Sequence, residues 1–129
     1  METYYHKDKL ASDVDVTCYQ RLMMYLNHKQ YYPSEELLVY LYENGLDGAA
    51  VYDKDTDYKR MLCTILEILE SLTNNIDIFR TVETEFATTS EAYNFLERRI
   101  QKLKQKIGEI PDEPAEGGRG GDFTHIFKD

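Results

Sequence analysis

Residues 57–72 read DYKRMLCTILEILESL, and the fold follows from how this stretch distributes its apolar side chains. Tyr58, Met61, Leu62, Ile65, Leu66, Ile68, Leu69 and Leu72 recur at three- and four-residue intervals, the period of an α-helix. Together they make an apolar face wider than a two-helix seam requires. The pattern predicts a central core helix that starts near Asp57, stops at Asn74-Asn75 and is covered on more than one side, with Leu66 and Leu69 both on its buried face.

Upstream, Val14, Cys18, Leu22, Tyr25 and Met24 or Leu26 carry the same period through Asp13 to about Lys29, predicting an amphipathic helix. Pro33 interrupts it. Ser34 offers a cap oxygen for a short helix to Glu43, with Glu35 and Glu36 placing negative charge at its positive end. Asn44-Gly45 supplies a left-handed stop, after which Leu46 can make the apolar contact common beyond such a stop. Gly48 and the aspartates of 47–56 read as a loop.

Downstream of the central helix the period changes. Between Ile76 and Thr88, Ile78, Val82 and Phe86 share one parity with Arg80 and Thr84 between them, which predicts a strand or two short strands of a hairpin. Such a segment must pair to satisfy its backbone, either with a neighbouring copy or within a bent hairpin. Thr88-Thr89-Ser90-Glu91 then matches a capping box. Tyr93, Leu96, Ile100, Leu103 and Ile107 follow at intervals of three and four, predicting a long helix packed along another until Gly108. The fold class is therefore mainly α: a helical bundle of about four helices with a short β segment and an extended C-terminal arm. Residues 1–12 form an N-terminal segment, 13–108 the helical domain, and 109–129 an acidic, Gly-rich arm whose composition predicts flexibility. That arm ends in Phe123-Thr124-His125-Ile126-Phe127, three large apolar residues that a solvating tail has no use for.

A chain of 129 residues is long enough for a real core, burying roughly two thirds of its unfolded surface. Cys18 and Cys63 lie in apolar periodic stretches and read as buried free thiols, in a chain that needs no disulfide staple. The first residues lack the basic and apolar character of a signal peptide, and no apolar run approaches the roughly 20 residues that span a bilayer. The expected setting is the cytoplasm. Fifteen Lys plus Arg against 24 Asp plus Glu give a net charge of -9, which disfavours nucleic acid as the main ligand and attraction to anionic lipid. Eleven tyrosines and no tryptophan suit half-buried positions, at an interface or at a small domain's boundary.

The candidate chemistry is sparse. Asp53, Asp55 and Asp57 alternate as calcium-loop ligands do, but Tyr58 stands where the loop's glycine belongs and Thr64 where its glutamate belongs. They read as helix-capping carboxylates. His6, His28 and His125 are scattered with no ligand-like spacing, and Gly117 to Gly121 neither follows a strand nor opens a helix as a phosphate loop does. No cofactor and no catalytic residue are indicated. Arg98, Arg99, Lys102, Lys104 and Lys106 crowd one helix, where they serve as a solvated face and as cations near a helix C-terminus. The functional alternative is a docking surface, centred on Arg98, Arg99 and Lys102, for an acidic partner such as Glu109 to Glu116 of another copy. The partner-binding candidates are these three cations with Phe123, Ile126 and Phe127.

The order of helix, short helix, long helix, β segment, long helix and arm resembles the small head-tail connector, or neck adaptor, proteins of tailed bacteriophages. The likeness is carried by Tyr32-Pro33-Ser34-Glu35-Glu36-Leu37, Gly45-Leu46, the helix around Tyr58-Lys59-Arg60-Met61-Leu62, and Tyr93-Asn94-Phe95-Leu96-Glu97-Arg98-Arg99-Ile100, within residues 13–108. The resemblance implies a non-enzymatic structural protein of the virion, assembled in the host cytoplasm as a homo-oligomeric ring between portal and tail proteins. The Gly-rich arm with an aromatic tip departs from that pattern, though such families lend terminal arms to neighbours. The alternative is a small acidic regulatory or inhibitor protein, of phage or bacterium, that binds a host protein. Either way the helical region is expected to fold without metal, so thermal unfolding curves with and without a chelator are expected to coincide.

Overall fold

A computed structural model describes residues 15–111, which form a mainly helical bundle. Five helices occur among them: α1 (Cys18–Tyr25), α2 (Ser34–Glu43), α3 (Lys54–Thr73), α4 (Ile76–Val82) and α5 (Thr89–Gly108). The central position of α3 follows from its sequence. Met61, Leu62, Thr64, Ile65, Ile68, Leu69 and Leu72 are all buried, which takes up close to half of its circumference. No single neighbour can cover so wide a face. Helices α1 and α2 pack on it from one flank, while α4 and α5 pack from the other, and α2 never meets α5. Leu66 lies at the edge of the face and is only partly buried.

The chain between these helices is fixed by caps that the residue types dictate. Asp53 opens α3 by accepting from the Asp55 N–H at 3.0 Å, and the Asp57 carboxylate accepts from the Asp53 N–H at 3.0 Å. These caps start α3 at Lys54, one turn before the expected Asp57. Gly45 closes α2 at φ 81°: its N–H donates to Tyr42 O and the Leu46 N–H to Leu41 O, while Leu46 enters the core. Helix α1 ends by the same pair of bonds, His28 N–H to Met23 O and Asn27 N–H to Met24 O. There the left-handed residues are Asn27 and His28, so α1 stops at Tyr25 rather than near Lys29. At α2 the cap differs from expectation. Pro33 is the N-cap, and the Ser34 hydroxyl bonds the Tyr19 hydroxyl at 3.0 Å instead of the helix backbone. An isolated antiparallel bridge, Thr17 with Val51, ties the entry of α1 to the α2–α3 loop.

The β segment expected at 76–88 is corrected: residues 76–82 are α4, followed by the turns that lead into α5. Ile78, Val82 and Phe86 are spaced by four, an interval that satisfies a strand's parity and a helix's period equally. The deciding residue is Phe79, which the parity reading leaves out. It is fully buried, with its ring 5.7 Å from Tyr31, 6.0 Å from Phe86 and 6.3 Å from Phe95. Burying that ring in an aromatic cluster outweighs the small helix penalty of the β-branched residues around it. In α5, Thr88 caps by accepting from Glu91 N–H at 3.1 Å, but the Glu91 carboxylate reaches Ala87 N–H rather than completing the box. The seam against α3 runs through Ala92, Leu96 and Ile100, then Leu103 and Ile107, and Tyr93 stays exposed.

The two leucines separate centre from edge. Leu69→Ala is expected to cost about 2–5 kcal/mol, and the partly covered Leu66→Ala less than about 2 kcal/mol. Urea unfolding of both variants checks the ranking.

Candidate interaction surfaces

One buried polar cluster joins three distant parts of the chain. Glu83, in the α4–α5 connection, is 8% exposed; its carboxylate accepts from the Tyr31 hydroxyl at 2.7 Å and lies 3.3 Å from the Lys29 ammonium. Arg99 of α5 donates to Tyr25 O, the last carbonyl of α1, at 2.9 Å. A cation at a helix C-terminus satisfies an orphan acceptor and the helix dipole together. Burial, and then the Glu83 carboxylate, push the Tyr31 phenol well above the ordinary tyrosine range, with the Arg99 charge offsetting part of the rise. Every member of this cluster therefore has a partner inside the fold. It fastens the α1–α2 turn to the far flank of α3 and presents no open site to a substrate.

The other candidates read from the sequence are placed as follows. Of the three aspartates at the α3 entry, Asp53 and Asp57 cap with their carboxylates while Asp55 gives only its backbone N–H and its first-turn charge, and among the described residues no group of three His, Cys, Asp or Glu side chains could hold a metal ion. Cys18 and Cys63 are free thiols raised above their usual range, chiefly by burial. Thiols of that kind are not activated nucleophiles. A hollow of about 230 Å³ on α4, lined by Asp77, Ile78, Thr81 and Val82, is open to solvent and commits its Thr81 hydroxyl to the Asp77 carbonyl at 2.7 Å. No helix among the described residues is long and apolar enough to cross a membrane.

Two outward surfaces stand out among the described residues. On α5, Arg98 and Lys102 are exposed and make no ion pair among the described residues, whereas Arg99, grouped with them by sequence, is tied to Tyr25. Lys104 is paired with Glu70 at 3.5 Å. The apolar candidates Phe123, Ile126 and Phe127 lie outside the described residues. On α2, Leu37 and Leu41 face the core while Leu38, Val39 and Tyr42 are 40%, 52% and 78% exposed. Glu35, Glu36 and Glu43 border this apolar stripe. Sequence reasoning missed the stripe and the Glu83 cluster. A signal for the stripe was present, since residues 37–42 are six apolar residues in a row, more than one helix face can bury.

No family model matches the chain, and no curated protein or solved structure was found to be similar to it.

Two tyrosine hydroxyls give the cluster a measurable contrast. The Tyr52 hydroxyl is buried without a hydrogen-bond partner, and burial pushes its pKa up to about 12 although the Arg21 charge nearby tempers the rise. Tyr52→Phe is expected to be neutral or stabilising by up to about 1 kcal/mol, while Tyr31→Phe strips a partner from Glu83 and costs about 1–3 kcal/mol. Both phenols are held neutral by the fold, so their contribution is whole below the unfolded value near 10 and is lost as pH rises above it toward the folded values. Urea unfolding at stepwise rising pH is expected to show stability falling above about pH 10, less steeply in each Phe variant.

Proposed function

We propose that the chain is a structural assembly subunit of a phage particle, a head-tail connector that forms a ring between portal and tail and grips its neighbours through the C-terminal arm. The observation that carries this reading is the placement of α2 and α5 on separate flanks of α3 with unlike outward chemistry, apolar and acid-edged on one and basic on the other. Unlike patches on different sides of one subunit favour head-to-tail contacts, and head-to-tail contacts close into rings when the rotation permits. The use of Asp53 and Asp57 as caps and of Lys29, Glu83 and Arg99 as fastenings agrees with a role in binding. Arg98 and Lys102 are available for an acidic partner, including the 109–116 stretch of another copy. Phe123, Ile126 and Phe127 supply the apolar anchors, each worth roughly 1.5–3 kcal/mol when buried.

Sedimentation velocity and native mass spectrometry of the full chain test this directly. A large closed oligomer is the expected result; a monomer or dimer at all accessible concentrations favours the regulatory or inhibitor alternative. Deleting residues 117–129 is expected to weaken assembly while leaving the unfolding transition of the domain nearly unchanged. A loss of several kcal/mol of stability, with assembly intact, would place the tip in the core of its own domain.

A further inference from the structure

We infer that the outward face of α2, Leu38, Val39 and Tyr42, is the seat for the Phe123–Phe127 tip of a neighbouring copy; the inference rests on the assembly reading above. The face is one stripe by helix geometry, because positions 38, 39 and 42 adjoin, with Leu38 at the edge of the core-facing side of Leu37 and Leu41 and Val39 and Tyr42 turned further outward. Leu38 leans over the α2–α3 loop against Gly48, which anchors one edge of the stripe. Its occupant needs several apolar groups within a short length. The tip supplies them at positions 123, 126 and 127.

The path of the chain sets where the tether starts and how far the tip reaches. Lys59, in the second turn of α3, donates to Ile110 O at 3.4 Å, so the described chain ends beside the start of α3. The end of α2 lies at the same place, with Gly45 packed against the Arg60 side chain. From Pro111 to Phe123 the chain advances twelve residues, which span at most roughly 40 Å. Helix α2 is about 15 Å long, so the tip reaches the whole stripe of a copy lying against this end of the bundle. Charge sorts the two halves of the arm. The 109–116 stretch carries Glu109, Asp112, Glu113 and Glu116 and is repelled by Glu35, Glu36 and Glu43, whereas 117–129 balances Arg119 and Lys128 against Asp122 and Asp129 and is not.

The test uses the full chain and a labelled synthetic peptide of residues 117–129. Val39→Asp with Tyr42→Glu alters only exposed positions, and circular dichroism with the unfolding midpoint verifies that the domain is intact. The double variant is expected to weaken assembly of the large oligomer as the 117–129 deletion does, and to bind the peptide about tenfold or more weakly than the unaltered domain lacking its own tip. A second arm changes the ligand: Phe123→Asp with Phe127→Asp in the peptide is expected to abolish binding to the unaltered face. Cross-linking in a mixture of isotopically light and heavy chains is expected to join tip and α2 between chains. Equal peptide affinity for the altered and unaltered α2, or tip-to-α2 links found only within single chains, overturns the inference. Assembly lost on tip deletion but unaffected by the α2 variant also overturns it while leaving the assembly reading standing. Failure of the unaltered chain to assemble removes that reading itself.

Discussion

The fold depends on the width of α3's apolar face. A stripe of the usual breadth is satisfied by one partner helix, but Met61, Leu62, Ile65, Ile68, Leu69 and Leu72 point over too wide an arc for that. Leaving part of it in water forfeits roughly 25 cal/mol for each Å² of apolar surface, so helices must arrive from both flanks. The short α1–α2 pair covers one and the α4–α5 pair the other. The separation of α2 from α5, on which the proposed assembly rests, is thus a consequence of core coverage.

Two half-bundles on one helix can slide unless something fastens them. The Glu83 cluster does so at a position where hydrophobic packing has little directionality. The Lys29–Tyr31 turn belongs to the α1–α2 flank, while Glu83 and Arg99 belong to the other. Their bonds have defined lengths and angles, and stripping one partner leaves a nearly buried charge or carbonyl uncompensated. Phe79 stacks beneath Tyr31 within the same region, so the polar fastening and the aromatic cluster constrain each other. Lys29, Glu83 and Arg99 thus spend their charges on holding the two flanks in register.

What could be read from sequence divides along the same physical line. Helix α3, the span of α2 and its Gly45 stop were legible because each depends on neighbours within four or five residues. Helix α4 was not. The four-residue spacing of Ile78, Val82 and Phe86 fits either period, and only the burial of Phe79 against Tyr31 and Phe95 decides between them. Arg99 looked like Arg98 and Lys102, since nothing local reveals that the Tyr25 carbonyl, 74 positions away, meets its guanidinium. Tyr93 and Ala92 were exchanged for a related reason. A seam read from spacing fixes the face to within one residue, and the larger apolar side chain was favoured over the small one that allows α5 to approach α3.

The outward surfaces also bear on the symmetry of any assembly. A two-fold contact brings identical patches together, and the α2 and α5 patches both oppose that arrangement. The α2 stripe would set Glu35, Glu36 and Glu43 against their own copies, and the α5 face would set Arg98 and Lys102 against theirs. Like charges in contact raise the energy of such dimers, especially as water is squeezed out and the effective dielectric falls. A contact that rotates each copy relative to the next avoids both repulsions and leaves one donor and one acceptor surface per subunit. An arm that carries acidic residues before its apolar tip adds a second selection, because only the end of the arm is tolerated by the acid-edged stripe. Repulsion between like faces, rather than attraction alone, is what gives the proposed head-to-tail arrangement its direction.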